Sequence, residues 1–291
     1  MRDWPELDDA ELLERLRLDD AAFQAYLERL AVLVPPGRAF DDAVLERALG
    51  YPWERPARSY LLRGGEVTLL EDVDPEARAA VRAGRHPLLA FGANGSPEGL
   101  ERKLAHFPGA EDRTALVLAG QLEGFDVGPA AMTTLYGSLP ATIFPSPGTR
   151  VRSSIVWVTA AQLRQLTWSE VSYRLGRLHG ARFEPDDPDA GDLDGFCAFA
   201  SRFGAFQPDG EPVALAAVPA LGRSAAARTQ RQLLDAVARI VLEPGASAED
   251  LVHALMDRFS RIAPGIRDAL RTHAVPLDDA HWLPFPGTAA G

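Results

Sequence analysis

Cysteine and lysine are almost missing from this sequence: Cys197 and Lys103 are the single examples of each. One cysteine excludes an internal disulfide and any multi-cysteine metal site, and it fits a reducing compartment, so a cytoplasmic location is expected. No uninterrupted apolar stretch is long enough to span a bilayer, and Met1 to Leu18 lacks the basic-then-apolar pattern of a secretion signal. No membrane partner is expected. The six histidines, at 86, 106, 179, 253, 273 and 281, show no paired spacing such as i, i+4, so no zinc site is expected. Positive charge is also in short supply. Thirty basic residues face 41 acidic ones, a net charge of −11, whereas phosphate-backbone binders concentrate Lys and Arg, so no nucleic-acid partner is expected. With Ala, Gly, Pro and Arg abundant, the near absence of lysine reads as nucleotide bias in a GC-rich genome and carries no mechanism.

A chain of 291 residues can hold a large core. Helical patterns fill its first third. Asp8-Asp9 opens a helix through Leu12, Leu13 and Leu16, a second runs from Asp20 to Val34, and a third covers Asp41 to Leu49. Asp74 caps a fourth, with Pro75 in its first turn. From Pro87 the texture changes to short apolar runs that read as strands, among them Thr114 to Val117, Thr142 to Phe144 and Ser153 to Val158. Helices are predicted over Pro97 to His106 and Ala160 to Ser172. Asp209-Gly210, between the apolar runs Gly195 to Phe206 and Pro212 to Val218, favours a hairpin. Beyond Pro219 helices return over Ala225 to Leu242, Ser247 to Ile262 and Gly265 to His273, with Ser247 and Asp250 spaced as a capping pair. Helices, a strand-rich centre and then helices suit an α+β fold built on a small mixed sheet or barrel. The expected organisation is an N-terminal helical extension (1–84), a core (85–220) and a C-terminal helical extension (221–291).

The run Leu88-Leu89-Ala90-Phe91-Gly92-Ala93-Asn94-Gly95-Ser96-Pro97 takes a buried strand into a tight loop. Gly92 and Gly95 can adopt positive φ and turn several backbone N–H groups toward one point, which makes an anion or oxyanion cradle. The same pattern also ends ordinary strands. Other candidates are weaker. Tyr136-Gly137-Ser138-Leu139-Pro140 lacks the second glycine of a nucleophile elbow. The acidic stretch Asp186 to Asp194 lacks the spacing of a calcium loop and reads as exposed.

Three segments carry a resemblance: Phe91-Gly92-Ala93-Asn94, Pro140 to Gly148 (Pro-Ala-Thr-Ile-Phe-Pro-Ser-Pro-Gly), and Val156-Trp157-Val158 leading to Gln162 through Glu170 and Tyr173. In order and spacing they resemble the gamma-glutamylcyclotransferase-like superfamily, which pairs a Tyr-Gly-Ser-Asn loop with an Ala-Thr-Ile-Phe-x-Ser-Pro-Gly-like segment, then a strand and a short helix ending in Leu-Asp-x-x-Glu-Gly. The resemblance spans about Leu88 to Leu178. It implies a cyclotransferase-like barrel core, a substrate-holding loop at Phe91, Gly92, Ala93 and Asn94, and Glu170 as the catalytic glutamate. Phe91 and Ala93 replace Tyr and Ser, removing two hydroxyls, while Thr167 and Val171 stand where Asp and Gly are expected.

The implied reaction is attack of a gamma-glutamyl α-amine on its own γ-carbonyl, which closes 5-oxoproline and expels an amine or amino acid. An intramolecular closure needs the reactive conformer held, a proton shuttle and donors for the oxyanion, so no metal or cofactor is required. Glu170 is the expected shuttle, and the partner is a small gamma-glutamyl or related amide. Tyr136 and Tyr173 are further candidate substrate contacts, with a turn hydroxyl and a packed aromatic as the rival accounts. The alternative to an enzyme is a non-catalytic module on the same fold that binds a small metabolite or docks a partner protein. The two separate on geometry: an enzyme needs Glu170 facing a pocket floored by Gly92 to Asn94.

Overall fold

A computed structural model describes residues 4–286 of the chain. The N-terminal helices form where the sequence places caps: α1 (Ala10–Arg17) on Asp9, α2 (Asp20–Val32) on Asp19 and α3 (Asp42–Leu49) on Asp41, each carboxylate accepting an N–H of the first turn. Before the fourth helix the chain departs from the expected all-helical extension. Strands β1 (Tyr60–Arg63) and β2 (Glu66–Leu69) form a hairpin, and β1 also pairs with the central sheet. Then α4 (Pro75–Arg82) follows its Asp74 cap as read.

The centre holds β3 (His86–Ala90), α5 (Pro97–Leu104), β4 (Ala115–Pro129), β5 (Ala141–Val158), α6 (Ala160–Ser169), β6 (Tyr173–Pro185) and β7 (Leu193–Ser201). The two runs predicted between Thr142 and Val158 are one 18-residue strand. It pairs antiparallel with β4 over most of its length, interrupted by an irregularity between Glu123 and Phe125. Strand β5 also pairs with β3, β3 with β7, β7 with β6, and β6 with β4. Those pairings return to their starting strand, so β3 to β7 make a closed five-stranded barrel in a mixed α+β fold with eight α-helices among the described residues.

Side chains alternate across the barrel wall with the two-residue period of a strand. Leu89, Leu118, Ile155 and Phe196 belong to one apolar cluster, which runs on to α7 (Gln230–Val241) and α8 (Ala248–Leu270). Their neighbours Leu88, Val117, Val156 and Cys197 belong to a second, closed over by Leu12 of α1, Leu100 of α5 and Leu163 of α6. The two helices predicted from Ser247 to His273 are a single α8, with Arg258 off helical geometry and Pro264 inside it. Ser247 and Asp250 do form the capping box.

The predicted hairpin around Asp209-Gly210 does not form. Gly210 makes the turn at φ +85°, but Ala205–Phe206 pairs with Ala274–Val275 and Val213–Leu215 pairs in parallel with Ala226–Arg228. Both arms find backbone partners in the C-terminal part of the chain, which a local turn signal cannot report. Among the described residues, no helix is long and apolar enough to cross a membrane.

Candidate active site

At the end of β3 the chain turns through Phe91 and Gly92 into a 3-10 turn at Ala93–Gly95, and Ser96 then caps α5 by accepting the Gly99 N–H. The expectation of positive φ in this loop is not met. Gly92 sits at φ −125°, ψ −141°, and Gly95 is also outside the positive-φ set. Glycine is needed at 92 for space instead: a Cβ there would lie 2.7 Å from the Tyr51 hydroxyl. The turn is closed by Gly95 and Ser96 N–H groups donating to the Gly92 and Ala93 carbonyls. The N–H groups of Gly92, Ala93 and Asn94 precede its first bond and have no partner inside the turn.

Glu170 is the residue that ends α6, at φ −92°, ψ 57°, just before β6. That departure from helical geometry points the carboxylate across to the β3 loop. Asn94, 8% exposed, donates from Nδ2 to Glu170 Oε1 at 3.0 Å. Lys103, in the last turn of α5, donates to both: 2.6 Å to Asn94 Oδ1 and 2.5 Å to Glu170 Oε1. The Lys103 and Glu170 side chains are 14% and 15% exposed. The one lysine, read from composition as carrying no mechanism, is therefore ion-paired to the candidate catalytic carboxylate. A compact ammonium can meet two oxygens at one point, which the planar fork of arginine does poorly. The signal in the sequence was the exception itself, a lysine where every other basic residue is arginine.

All seven residues singled out from the sequence line one cavity of about 530 Å³: Phe91, Gly92, Ala93, Asn94, Tyr136, Glu170 and Tyr173. Their chemistry differs from expectation at Tyr173. Its hydroxyl donates to the Ala141 carbonyl at 2.7 Å, while the Ala141 N–H donates to the Tyr51 hydroxyl at 2.9 Å. Tyr173 thus braces the start of β5. Burial pushes both phenols well above the usual tyrosine range, so both stay neutral. Tyr136 packs against Trp53 with ring centroids 5.3 Å apart, and burial raises its phenol too. Tyr51, from a segment without any chemical motif, brings a hydroxyl to the loop where Phe91 has none.

Most of the remaining lining is apolar, and the flanking helices supply part of it. Leu27, Leu30 and Ala31 come from α2, Val34 follows that helix, and Phe259 comes from α8. Arg267 of α8 lines the cavity as well. No protein-family description matches the chain, and no curated protein does. A solved structure described as a gamma-glutamyl cyclotransferase is similar to it at 16% identity and a TM-score of 0.32. The match covers 40% of this chain and 66% of that one, so the chain spans just under two thirds of that structure's length.

Proposed function

We propose that this chain is a gamma-glutamylcyclotransferase-like enzyme that releases 5-oxoproline and an amine or amino acid from a gamma-glutamyl amide, with Glu170 as general acid and base. The observation that carries the reading is the meeting of Glu170 with the Phe91–Asn94 loop in one cavity, held by the 3.0 Å Asn94 contact. Supporting it is the order of the three sequence segments that resemble the superfamily.

Glu170 takes a proton from the substrate's α-ammonium, and the freed amine attacks the γ-carbonyl carbon. The C–N bond of the lactam forms as the carbonyl electrons move to oxygen. Backbone N–H groups of Gly92, Ala93 and Asn94 receive that oxyanion. Its collapse breaks the bond to the leaving nitrogen, which takes the proton back from Glu170, and the excess proton on the ring nitrogen then passes through Glu170 to the departing amine, leaving a neutral lactam and an ammonium product. Both side-chain contacts to Glu170 fall on Oε1, so the shuttle uses Oε2. Lys103 supplies a counter-charge for the substrate's α-carboxylate beside the base. Asn94 fixes the relative position of the two charged groups.

A second reading draws on the same ion pair. A carboxylate held by both an ammonium and an amide is also what a non-catalytic metabolite-binding pocket on this fold would contain. Mass-spectrometric detection of 5-oxoproline separates the two. Wild type and Glu170→Gln are incubated with gamma-glutamyl amino acids, gamma-glutamyl amines and glutathione. Product from wild type and none from a folded Glu170→Gln is expected. Binding of panel members without product from a folded wild type would sink the enzyme reading in favour of the binding module.

A further inference from the structure

The α8 residues Phe259, Ala263 and Arg267 follow one another at helical spacing on a stripe that is otherwise apolar and buried. Arg267 is 7% exposed and lines the cavity, yet its Nε and Nη2 have no hydrogen-bond partner. The two carboxylates that act on it electrostatically are engaged elsewhere. Asp268 pairs with Arg271, and Glu28 accepts from Gln24. Burial is the first cause of a lowered Arg267 pKa, and it outweighs the two carboxylates that act to raise it. A desolvated guanidinium is costly unless an anion meets it. The same cavity is lined by Glu170 and Lys103 and by the apolar side chains of Leu27, Ala31 and Phe259.

We infer that Arg267 is a specificity-determining residue that receives a second anionic group of the ligand, and that the ligand is a gamma-glutamyl amino acid whose other residue is large and apolar. The gamma-glutamyl half rests on the cyclotransferase reading, while the carboxylate at Arg267 and the apolar body do not. The apolar side chain lies against α2 and α8, and its carboxylate completes the guanidinium. The walls that choose the leaving group are then built by the flanking helices, and the walls that activate it by the barrel.

The test compares gamma-glutamyl-phenylalanine with gamma-glutamyl-phenethylamine, which has the same ring and lacks the second carboxylate. Binding is measured by isothermal titration calorimetry in a Glu170→Gln background, so that ligand is not consumed, with and without Arg267→Met. Release of 5-oxoproline by wild type is followed in parallel. The acid is expected to bind about tenfold tighter or more, the affinity one charged hydrogen bond of ordinary strength carries. Arg267→Met is expected to erase that preference. Because both ligands meet the same protein, the preference in the parent stands independently of any variant's folding. Equal affinities, a preference that survives Arg267→Met, or no binding of either ligand overturns the inference. A carboxylate preference without 5-oxoproline would overturn the cyclotransferase reading and leave Arg267 in its role. Equal turnover of both ligands would do the reverse.

Discussion

Lys103, Asn94 and Glu170 form a three-membered contact in which each side chain touches the other two. Removing one member leaves a partly buried charge without its partner, whereas removing both charges at once leaves only the amide. Lys103→Met and Glu170→Gln should therefore each destabilise the fold, and the double variant should lose less than their sum. Urea unfolding of the four proteins is expected to return a coupling of about 1–3 kcal/mol, and additivity within about 0.5 kcal/mol would show that the contact contributes nothing to folding. Much of this corner was legible in the sequence. Glu170 and the Phe91–Asn94 loop were singled out by the order of motif segments that carry the family resemblance, although the helix predicted through Ser172 ends at Ser169 and leaves Glu170 as its cap. Lys103 and Arg267 were not. Lys103 reaches Glu170 across 67 positions in the chain. Arg267 stands out only once Gly265 to His273 is joined to the helix before it, so that its place on a buried stripe becomes visible.

At the scale of elements, a close approach decides where the C-terminal segment docks. Trp282–Pro284 adds to β6 with Trp282 opposite Leu178 and Pro284 opposite Gly176. A Cβ on Gly176 would fall inside van der Waals distance of the Trp282 ring and 2.8 Å from the Leu283 carbonyl oxygen. Gly176→Ala should cost about 1–3 kcal/mol through this overlap. Hydrogen–deuterium exchange should rise in 282–285 and along β6, and unchanged protection there would show that the strand absorbs the methyl group. Helix caps at Asp9, Asp74 and Ser247 were readable because a cap is a contact between residues two or three apart. Sheet partners were not. The Asp209-Gly210 turn forms as expected, yet its arms pair with residues 226–228 and 274–275, chosen by tertiary packing.

Across the whole molecule, burial links pH to stability at His86, on the first strand of the barrel. Burial, then the nearby Arg177 charge, lowers its pKa below the ordinary 6.5. Above that value the imidazole is neutral in both folded and unfolded chains and adds no pH dependence. As pH falls through 6.5 the unfolded chain binds the proton first, so stability is lost on acidification until the lower folded pKa is reached. His86→Gln should lose less stability than wild type between about pH 7.5 and about pH 5.5 in urea unfolding, and parallel losses would assign the acid sensitivity to other groups. The sequence by itself determined the helix–strand–helix order, most helix starts and the motif loop, because caps, periodicity and turn chemistry act over a few residues. Barrel closure, the addition of β1 and β2, the pairing of Lys103 with Glu170 and the place of Arg267 in the cavity lining were decided only by tertiary structure. Each depends on which distant segment supplies a backbone partner, a counter-charge or an apolar wall, and no local pattern carries that choice.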